Sequence, residues 1–426
     1  MLDLTLSTLA LKAIVIDHMS SKESLTRVFL NEKLSDASKA SLRRHLYKTL
    51  RNFYTLSFEC LNLFVAYGPK TDETFLNILT LSALRTPSTS SDELKSSYID
   101  THETLSLEGD PNSDFEVLLK ASLKPFVIPE NIKEFPNAFY SLSLEADEGY
   151  IRELTKKYGQ ERGLKAIASL HARPTSFLAL NTKVVSPDTF KDDERFASYT
   201  FDDGSKVYKV LGEHSLVNLP EVKENKLYPI DLVTAKAFSR LEIPALSAKI
   251  LLSGFRLPTP TVYFGLKTKD QVGAKVVINY ADPQMYRLAM DMKKHFDLND
   301  AYPIPVKISL LKTYYKFDSF DTVVYQGNDS RIGMLRRDPG LLITRSKEYV
   351  SSLIKEMDYD LMECSEFVAK GANLLFINHS LLDDETKNVV RSFLKRRKEF
   401  SLVEEETVLP MDYDSDGGYY ALLRRN

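Results

Sequence analysis

The chain has 426 residues, of which 43% are hydrophobic and 27% are charged, and this composition is typical of a globular protein. A chain of this length exceeds what one hydrophobic core usually serves, so we expect two or three domains. The 56 basic and 59 acidic residues give a net charge of −3, which excludes a global attraction to nucleic acid and leaves only local basic surfaces for such binding.

The cysteine content and the N-terminus both favour a cytoplasmic protein. Cys60 and Cys364 are the two cysteines, too few for a disulfide framework. The apolar N-terminal stretch of residues 1–19 is interrupted by Lys12 and Asp17. Because it has neither a basic start nor a small-residue cleavage site, we expect no export signal and no membrane span.

Helices are predicted first along the chain. Residues 36–65 carry apolar side chains at helical spacing after Asp36, a plausible N-cap: Leu42, Leu46, Leu50 and Phe53. Residues 71–85 repeat this design, with Thr71 as the cap and with Phe75, Leu76, Leu79 and Ala83 directed inward. Residues 86–114 are rich in Pro, Ser, Thr and Asp, which predicts a long loop.

Strands follow a helical segment at 149–169, the first of them within residues 175–186. Short apolar runs then alternate with helical stretches: 248–254, 261–267, 274–281, 302–311, 320–327, 373–380 and 419–425. Such alternation predicts a mostly parallel, doubly wound sheet, and the end of the chain predicts an antiparallel hairpin. We therefore expect a helical domain at 1–135, a linker with a small α+β subdomain at 136–225, and an α/β domain at 226–426.

Three ordered blocks of the C-terminal half carry a family resemblance: 320–339, 378–402 and 416–425. The first block resembles the catalytic loop of the Sun/Nop family of RNA cytosine-5 methyltransferases, and it matches at Phe320, Asp321, Val323, Ser330, Gly333, Leu335, Arg336, Arg337 and Pro339. The stretch 174–183 is similar to a family strand, and the N-terminal helices resemble the NusB-like domain of the 16S rRNA members. The resemblance implies an all-α NusB-like bundle followed by a class I, Rossmann-like methyltransferase fold.

The resemblance also implies where the reactive residues should be, and they are absent. The two family cysteines fall on Asp329 and on His379, the position of the nucleophile. Addition to a pyrimidine needs a soft and easily ionised nucleophile such as a thiolate, which neither residue provides. An alternative is that Asp329 and His379 form a new acid–base pair, which requires side chains within about 8 Å.

The family's cofactor positions are changed as well. They fall on Leu252, Pro258, Thr259, Tyr280 and Gln326. Proline has no N–H and a fixed φ, so the turn at 252–261 cannot hold S-adenosylmethionine as a glycine-rich turn does. Asp282 is a possible shifted substitute for the acidic residue that Tyr280 replaces. We expect no cofactor, or S-adenosylmethionine if the family activity survives, and we expect Phe255, Arg256 or Tyr280 to fill the adenosine volume.

The basic residues suggest RNA contacts, although each set also has an ordinary role as a solvated helix end. The candidates are Arg336, Arg337, Arg391, Lys395, Arg396 and Arg397. No metal site is predicted, because the His and Cys residues lack ligand spacing.

Three functions remain open from the sequence. The first is a cytoplasmic, monomeric, catalytically inactive relative of the rRNA methyltransferases that binds RNA, such as rRNA or a ribosomal particle, and neither DNA nor membranes. The second is an active methyltransferase with altered cofactor and catalytic residues. The third is a protein-interaction module formed by the NusB-like helices.

Overall fold

A computed structural model describes residues 3–86, 90–212, 214 and 216–426. The chain divides into two compact units. The helical unit comprises Met1–Ala172 and Leu335–Ser346, and the sheet unit comprises Arg173–Met334 and Lys347–Asn426. The helical unit therefore includes a short segment from the second half of the chain.

The helices, in chain order, are α1 Leu4–Val15, α2 Ser21–Asn31, α3 Asp36–Arg51, α4 Phe53–Leu63, α5 Asp72–Leu84, α6 Ser91–Thr104, α7 Pro111–Ser122, α8 Pro136–Leu144, α9 Glu148–Tyr158, α10 Gln160–Leu170, α11 Pro220–Lys223, α12 Leu232–Phe238, α13 Thr259–Thr268, α14 Pro283–His295, α15 Leu341–Thr344, α16 Lys347–Ser365, α17 Lys387–Arg396 and α18 Pro410–Tyr413. The strands are β1 Phe177–Leu180, β2 Phe196–Thr200, β3 Lys206–Val210, β4 Leu227–Ile230, β5 Lys249–Ser253, β6 Lys275–Asn279, β7 Ala301–Ile304, β8 Phe320–Gln326, β9 Val368–Asn378, β10 Phe400–Val408 and β11 Gly418–Arg425.

The helical unit begins its helices where side chains can cap them. Thr71 caps α5 as predicted, its Oγ1 accepting from the N–H of Thr74 at 3.3 Å. The cap of α3 is Ser35 rather than Asp36. The predicted helix over 36–65 is two helices, because the backbone leaves helical geometry at Asn52 between α3 and α4.

The predicted loop over 86–114 is wrong for most of its length, since α6 and the start of α7 lie within it. Ser90 caps α6, and Tyr98 on that helix is buried, donating its hydroxyl hydrogen bond to Asn77 Oδ1 at 2.7 Å. The polar composition resembles that of a loop, because α6 buries only a narrow stripe of side chains and leaves the rest to solvent.

The predicted boundary between residues 135 and 136 is not a boundary between the two units. Residues 136–170 form α8 to α10, which belong to the helical unit. The carboxylate of Glu145, at the end of α8, accepts from the N–H of Tyr54 at 2.8 Å. The predicted boundary at 225 also lies inside a unit, because β4 follows it and pairs with β1.

The sheet unit holds two sheets. A four-stranded antiparallel sheet has the order β2-β3-β1-β4, and a seven-stranded sheet has the order β10-β11-β9-β8-β5-β6-β7. In the larger sheet β7, β6, β5, β8 and β9 are parallel, whereas β11 is antiparallel to both β9 and β10. The predicted mostly parallel sheet with a closing antiparallel hairpin is confirmed.

One predicted strand is a helix. Residues 261–267 lie in α13, the crossover between the parallel neighbours β5 and β6, and such a crossover requires a helix-sized connection. Prolines at its start favour a helix N-terminus over a strand. Among the residues that the structure describes, none of the helices has the length and apolarity needed to cross a bilayer.

Candidate functional site

The order of the seven-stranded sheet points to one edge as the candidate site. The chain goes from β5 outward to β6 and β7, and then returns to place β8 on the other side of β5. In open α/β sheets, ligands bind at the carboxyl ends of the strands where the order reverses. We call this edge, formed by the loops after β5, β6, β8 and β9, the carboxyl edge.

The loops after β5 and β8 touch each other at this edge. Gly254 follows β5 with φ +77°, and a Cβ there would collide with the carbonyl oxygen of Gln326 at the end of β8. Only glycine combines this conformation with so close an approach. The backbone at the end of β5 is therefore in direct contact with the backbone at the end of β8, and position 254 requires glycine.

The turn that begins α13 has few donors for a ligand. Pro258 occupies the N-cap position without a side-chain hydrogen bond, and Pro260 lies in the first turn. Because proline has no N–H, this helix start lacks donors that a helix N-terminus normally offers to a ligand.

Tyr280, directly after β6, is a structural residue of this edge. It is 2% exposed, and its hydroxyl lies 2.9 Å from Thr261 Oγ1 and 3.4 Å from the carbonyl oxygen of Leu257. Burial raises the pKa of Tyr280 to about 12, so the phenol stays neutral. The carboxylate of Asp282 caps α14 by accepting from the N–H of Gln284.

Two of the three side chains expected to fill this region are buried. Phe255 packs against Phe238, with the ring centroids 6.1 Å apart, and Tyr280 is buried as described. Arg256, the third of these alternatives, is exposed. The residues present do not fit an adenosyl cofactor, because the turn is rich in proline and a neutral phenol stands where a ribose would need a carboxylate.

The imidazole of His379, directly after β9, is held from both sides. Its Nε2 lies 3.0 Å from Asp231 Oδ1, and its Nδ1 lies 3.1 Å from Gln326 Nε2. Although burial alone would lower it, the pKa of His379 is raised by the charge and hydrogen bond of Asp231. Burial would raise the pKa of Asp231, but the pair with His379 lowers it to about 2. The two residues therefore form a hydrogen-bonded pair at the base of the loop after β9.

Asp329 lies beside His379, yet it does not pair with the imidazole. Its Oδ2 accepts from the backbone N–H of His379 at 2.7 Å, and its Oδ1 accepts from the backbone N–H of Arg331 at 2.5 Å. The predicted acid–base pair is thus corrected. Asp329 and His379 are neighbours, but the carboxylate of Asp329 accepts from backbone N–H groups, and the imidazole of His379 pairs with Asp231 instead. Asp231 was missed from the sequence, where it has only the signature of an N-cap before α12.

A second carboxyl group that the sequence did not single out is Glu385. It is fully buried and accepts from Ser330 N at 2.7 Å, Ser330 Oγ at 2.6 Å and Ser380 Oγ at 2.6 Å. Burial, followed by the charge of Asp329, raises its pKa to about 7. The hydrogen bonds of Asp329 and Glu385 thus tie the loops after β8 and β9 together.

The basic residues predicted to contact RNA fall into two groups, those that have protein partners and those that are exposed. Arg336 is buried in the helical unit and donates from Nε to the carbonyl oxygen of Ser169 at 2.7 Å, so its expected contact with RNA is wrong. Arg337 is half-buried and has partners of its own. In the sheet unit Arg396 pairs with Asp358, and Arg397 pairs with Glu366 and Glu399.

The remaining basic candidates, Arg391 and Lys395, are exposed on α17, one helical turn apart. Both cysteines are buried, and burial raises the pKa of each thiol. Neither Cys60 nor Cys364 can replace the missing nucleophile as a thiolate. Among the described residues, no group of three or more His, Cys, Asp and Glu side chains could hold a metal ion.

Comparisons with known sequences give short matches of one kind. No family model matches the chain. Ribosomal RNA small subunit methyltransferase B of Yersinia enterocolitica is 29% identical over 111 residues, which are 24% of this chain and 26% of the relative. The protein of the same name from Photorhabdus laumondii is 27% identical over 113 residues, 25% of this chain and 26% of the relative. The matches thus span about a quarter of these relatives' length.

Solved structures match over much more of the chain. The crystal structure of PH0851 has a TM-score of 0.74 at 13% identity and covers 100% of this chain and 99% of its own. A methyltransferase homologue from Pyrococcus horikoshii has a TM-score of 0.58 at 12% identity, covering 68% of this chain and 99% of its own. NSun6 from Pyrococcus horikoshii has a TM-score of 0.55 at 12% identity, covering 66% and 99%.

The fold is therefore that of a class I methyltransferase preceded by helices, as predicted. Within this class, the chain is similar in sequence to ribosomal RNA small subunit methyltransferase B over about a quarter of its length, and the resemblance found in its sequence is confirmed to that extent. The likeness of the N-terminal helices to NusB stays a prediction.

Proposed function

We propose that the protein is an RNA-binding relative of the rRNA methyltransferases that does not itself transfer methyl groups. The observation that carries this proposal is the state of His379, which stands at the family's nucleophile position. Its two ring nitrogens are bonded to Asp231 and Gln326, so neither is free to attack a base. Addition to a pyrimidine carbon needs an accessible thiolate, and both cysteines are buried.

The cofactor side supports the same proposal. The helix α13 begins with prolines, and Tyr280 is a neutral, hydrogen-bonded core residue. Each of these two changes alone would weaken binding of S-adenosylmethionine, because the first removes N–H donors and the second replaces a carboxylate by a neutral phenol. The alternative of an active enzyme therefore requires a cofactor position elsewhere on the sheet.

The direct test is to titrate the purified chain with S-adenosylmethionine by calorimetry and to assay methyl transfer to bacterial 16S rRNA. We expect no saturable heat and no transfer. Micromolar binding together with transfer by the wild-type chain would establish the active alternative. The His379→Cys variant is the informative companion, because we expect it to remain inactive even though it restores a thiol at the family position.

We assign RNA binding first to Arg391 and Lys395, the exposed basic candidates on α17. Changing both to alanine should weaken RNA binding and make its salt dependence shallower. The negative slope of log affinity against log salt should decrease in magnitude by about 0.7 for each phosphate of a single strand that is no longer neutralised. The matched control is Lys165→Ala plus Lys191→Ala, which removes two exposed lysines elsewhere. An equal effect of the two double substitutions would mean that α17 is not part of the surface that binds RNA. We further propose rRNA or a ribosomal particle as the partner of a monomeric, cytoplasmic protein.

A further inference from the structure

The segment between β7 and β8 exposes aromatic and basic side chains next to each other. We call Lys312, Tyr314, Tyr315, Lys316 and Phe317 the aromatic–lysine patch. Lys312, Tyr315, Lys316 and Phe317 line a shallow, open depression of the surface. The patch precedes β8 and so lies at the amino end of the parallel strands, which we call the amino edge.

The backbone of this segment is firmly held. Leu311 is fully buried in the short 3-10 helix Ile308–Thr313. Its carbonyl oxygen accepts from the N–H groups of Tyr314 and Tyr315, both at 2.9 Å. The N–H of Asp318 donates to the carbonyl oxygen of Glu366 at 3.0 Å. The patch is therefore preorganised and need not become ordered when a ligand binds.

The aromatic rings are presented for contact rather than buried. Phe317 is 52% exposed although its ring packs edge-on against Phe367, with centroids 5.6 Å apart. Tyr314 is 64% exposed, whereas Tyr315 packs against Phe320 at 5.5 Å. Adjacent large aromatic residues with accessible faces are typical of interaction sites, because their apolar surface is otherwise left in water.

The lysines of the patch keep their charge available. Within the described part of the chain, neither Lys312 nor Lys316 has a carboxylate within the 4.0 Å of an ion pair, and both are exposed. The acidic residues next to the segment are already paired: Asp318 with Arg425, and Glu366 with Arg397. The local field of the patch is therefore positive despite the net charge of −3.

We propose that the aromatic–lysine patch binds a single-stranded segment of RNA, an inference that rests on the proposed RNA-binding function. Bases stack on Phe317 and Tyr314, and Lys312 and Lys316 neutralise the flanking phosphates. Alternating aromatic and basic groups on a rigid surface are what sequence-tolerant binding of single strands requires. A duplex keeps its base faces stacked on one another, so it cannot use the rings. An acidic peptide would satisfy the lysines but would leave the aromatic faces without a stacking partner.

The test measures fluorescence anisotropy of labelled oligouridine with the full chain, with duplex RNA and polyglutamate as competitors. Tyr314→Ala and Phe317→Ala should each weaken oligouridine binding about tenfold. Lys312→Ala plus Lys316→Ala should reduce the magnitude of the negative salt slope by about 0.7 for each phosphate left without a lysine partner.

Tyr359→Ala is the matched aromatic control, since Tyr359 is 54% exposed outside the patch, and Lys165→Ala plus Lys191→Ala is the lysine control. Phe317→Leu keeps the packing against Phe367 but removes the stacking face, so it guards against loss of fold.

The outcomes distinguish this inference from the proposed function. Weaker binding by the patch variants and unchanged binding by the controls supports the patch. If the wild type binds RNA and the patch variants bind it equally well, the assignment of RNA binding to the patch is wrong and the proposed function stands. Absence of RNA binding by the wild type overturns both. If polyglutamate competes as well as oligouridine, and Phe317→Leu is neutral, the patch serves an acidic protein instead.

Discussion

The two edges of the seven-stranded sheet differ in what their polar groups are doing. At the carboxyl edge, His379, Asp329 and Glu385 are buried and Asp231 is half-buried, and all four are hydrogen-bonded to protein atoms. At the amino edge, Lys312 and Lys316 are exposed beside accessible rings. A polar group that already has protein partners stabilises structure, whereas one directed at solvent is available to a ligand. The comparison teaches that the edge where ligands are expected from the strand order is the less available one here.

The largest expected effect comes from removing Asp231. Asp231→Ala leaves the buried imidazole of His379 without its carboxylate partner and also removes the cap of α12. Loss of one partner of a buried pair typically costs about 3–5 kcal/mol, and we expect a loss of that size in urea unfolding. Asp282→Ala, which removes the exposed cap of α14, should cost only about 1 kcal/mol. Equal losses would mean that the contact between Asp231 and His379 contributes nothing beyond the cap.

The next effect concerns the pH dependence of stability. Because burial raises the pKa of Glu385 from 4.5 to about 7, the folded state binds a proton there that the unfolded state has released. The contribution of this group to the free energy of unfolding is therefore complete below about pH 4.5 and falls as pH rises to about 7, by roughly 3 kcal/mol in total.

Glu385→Gln tests this by making the position neutral at every pH. The difference in unfolding free energy between the wild type and the variant should shift in favour of the variant between about pH 4.5 and 7 and level off above that range. The measurement is urea unfolding at a series of pH values. A difference that stays constant across the range would show that Glu385 titrates alike in both states.

A smaller effect is expected from the hydroxyl of Tyr280. Tyr280→Phe removes the bond to Thr261 Oγ1 and should lower stability by about 1 kcal/mol, because it leaves a buried partner unsatisfied. Tyr314→Phe removes an exposed hydroxyl at the amino edge and should be close to neutral. Thermal unfolding of both variants gives the comparison, and a neutral Tyr280→Phe would mean that this phenol is not a structural residue.

The smallest effect is predicted at the amino edge. Lys312→Ala plus Lys316→Ala should change the unfolding free energy by less than about 0.5 kcal/mol, as is usual for exposed residues without fixed partners. A loss of more than about 1 kcal/mol in urea unfolding would show that these lysines have structural partners and would contradict their assignment to ligand binding.

Much of the architecture could be predicted because it depends on local patterns. Apolar runs such as 320–327 indicate the parallel strands, and Thr71 marks the start of a helix correctly. The helix α6 escapes prediction because its buried stripe is narrow, and α13 resembles a strand because its apolar residues form a short run. In both cases the position of the segment in the tertiary structure decides its form.

The site was predictable only in part, for a different reason. The resemblance located Asp329 and His379, but the atoms that they bond are set by loops distant in sequence. Asp231 lies 148 residues from His379, and nothing in the local sequence distinguishes it from an ordinary helix cap. Arg336 was expected at the surface, yet its segment belongs to the helical unit, where it is buried.

The assignment of Leu335–Ser346 to the helical unit has a consequence for synthesis and folding. Asp338 accepts a hydrogen bond from Ser21 at 2.5 Å, so the first helices cannot complete their packing until more than 300 further residues have left the ribosome. A fragment ending at residue 172 would lack the segment Leu335–Ser346. Contacts between residues this far apart in the sequence also generally slow folding. Excision of the helices as a free-standing piece should therefore yield a less stable and more aggregation-prone product than the intact polypeptide.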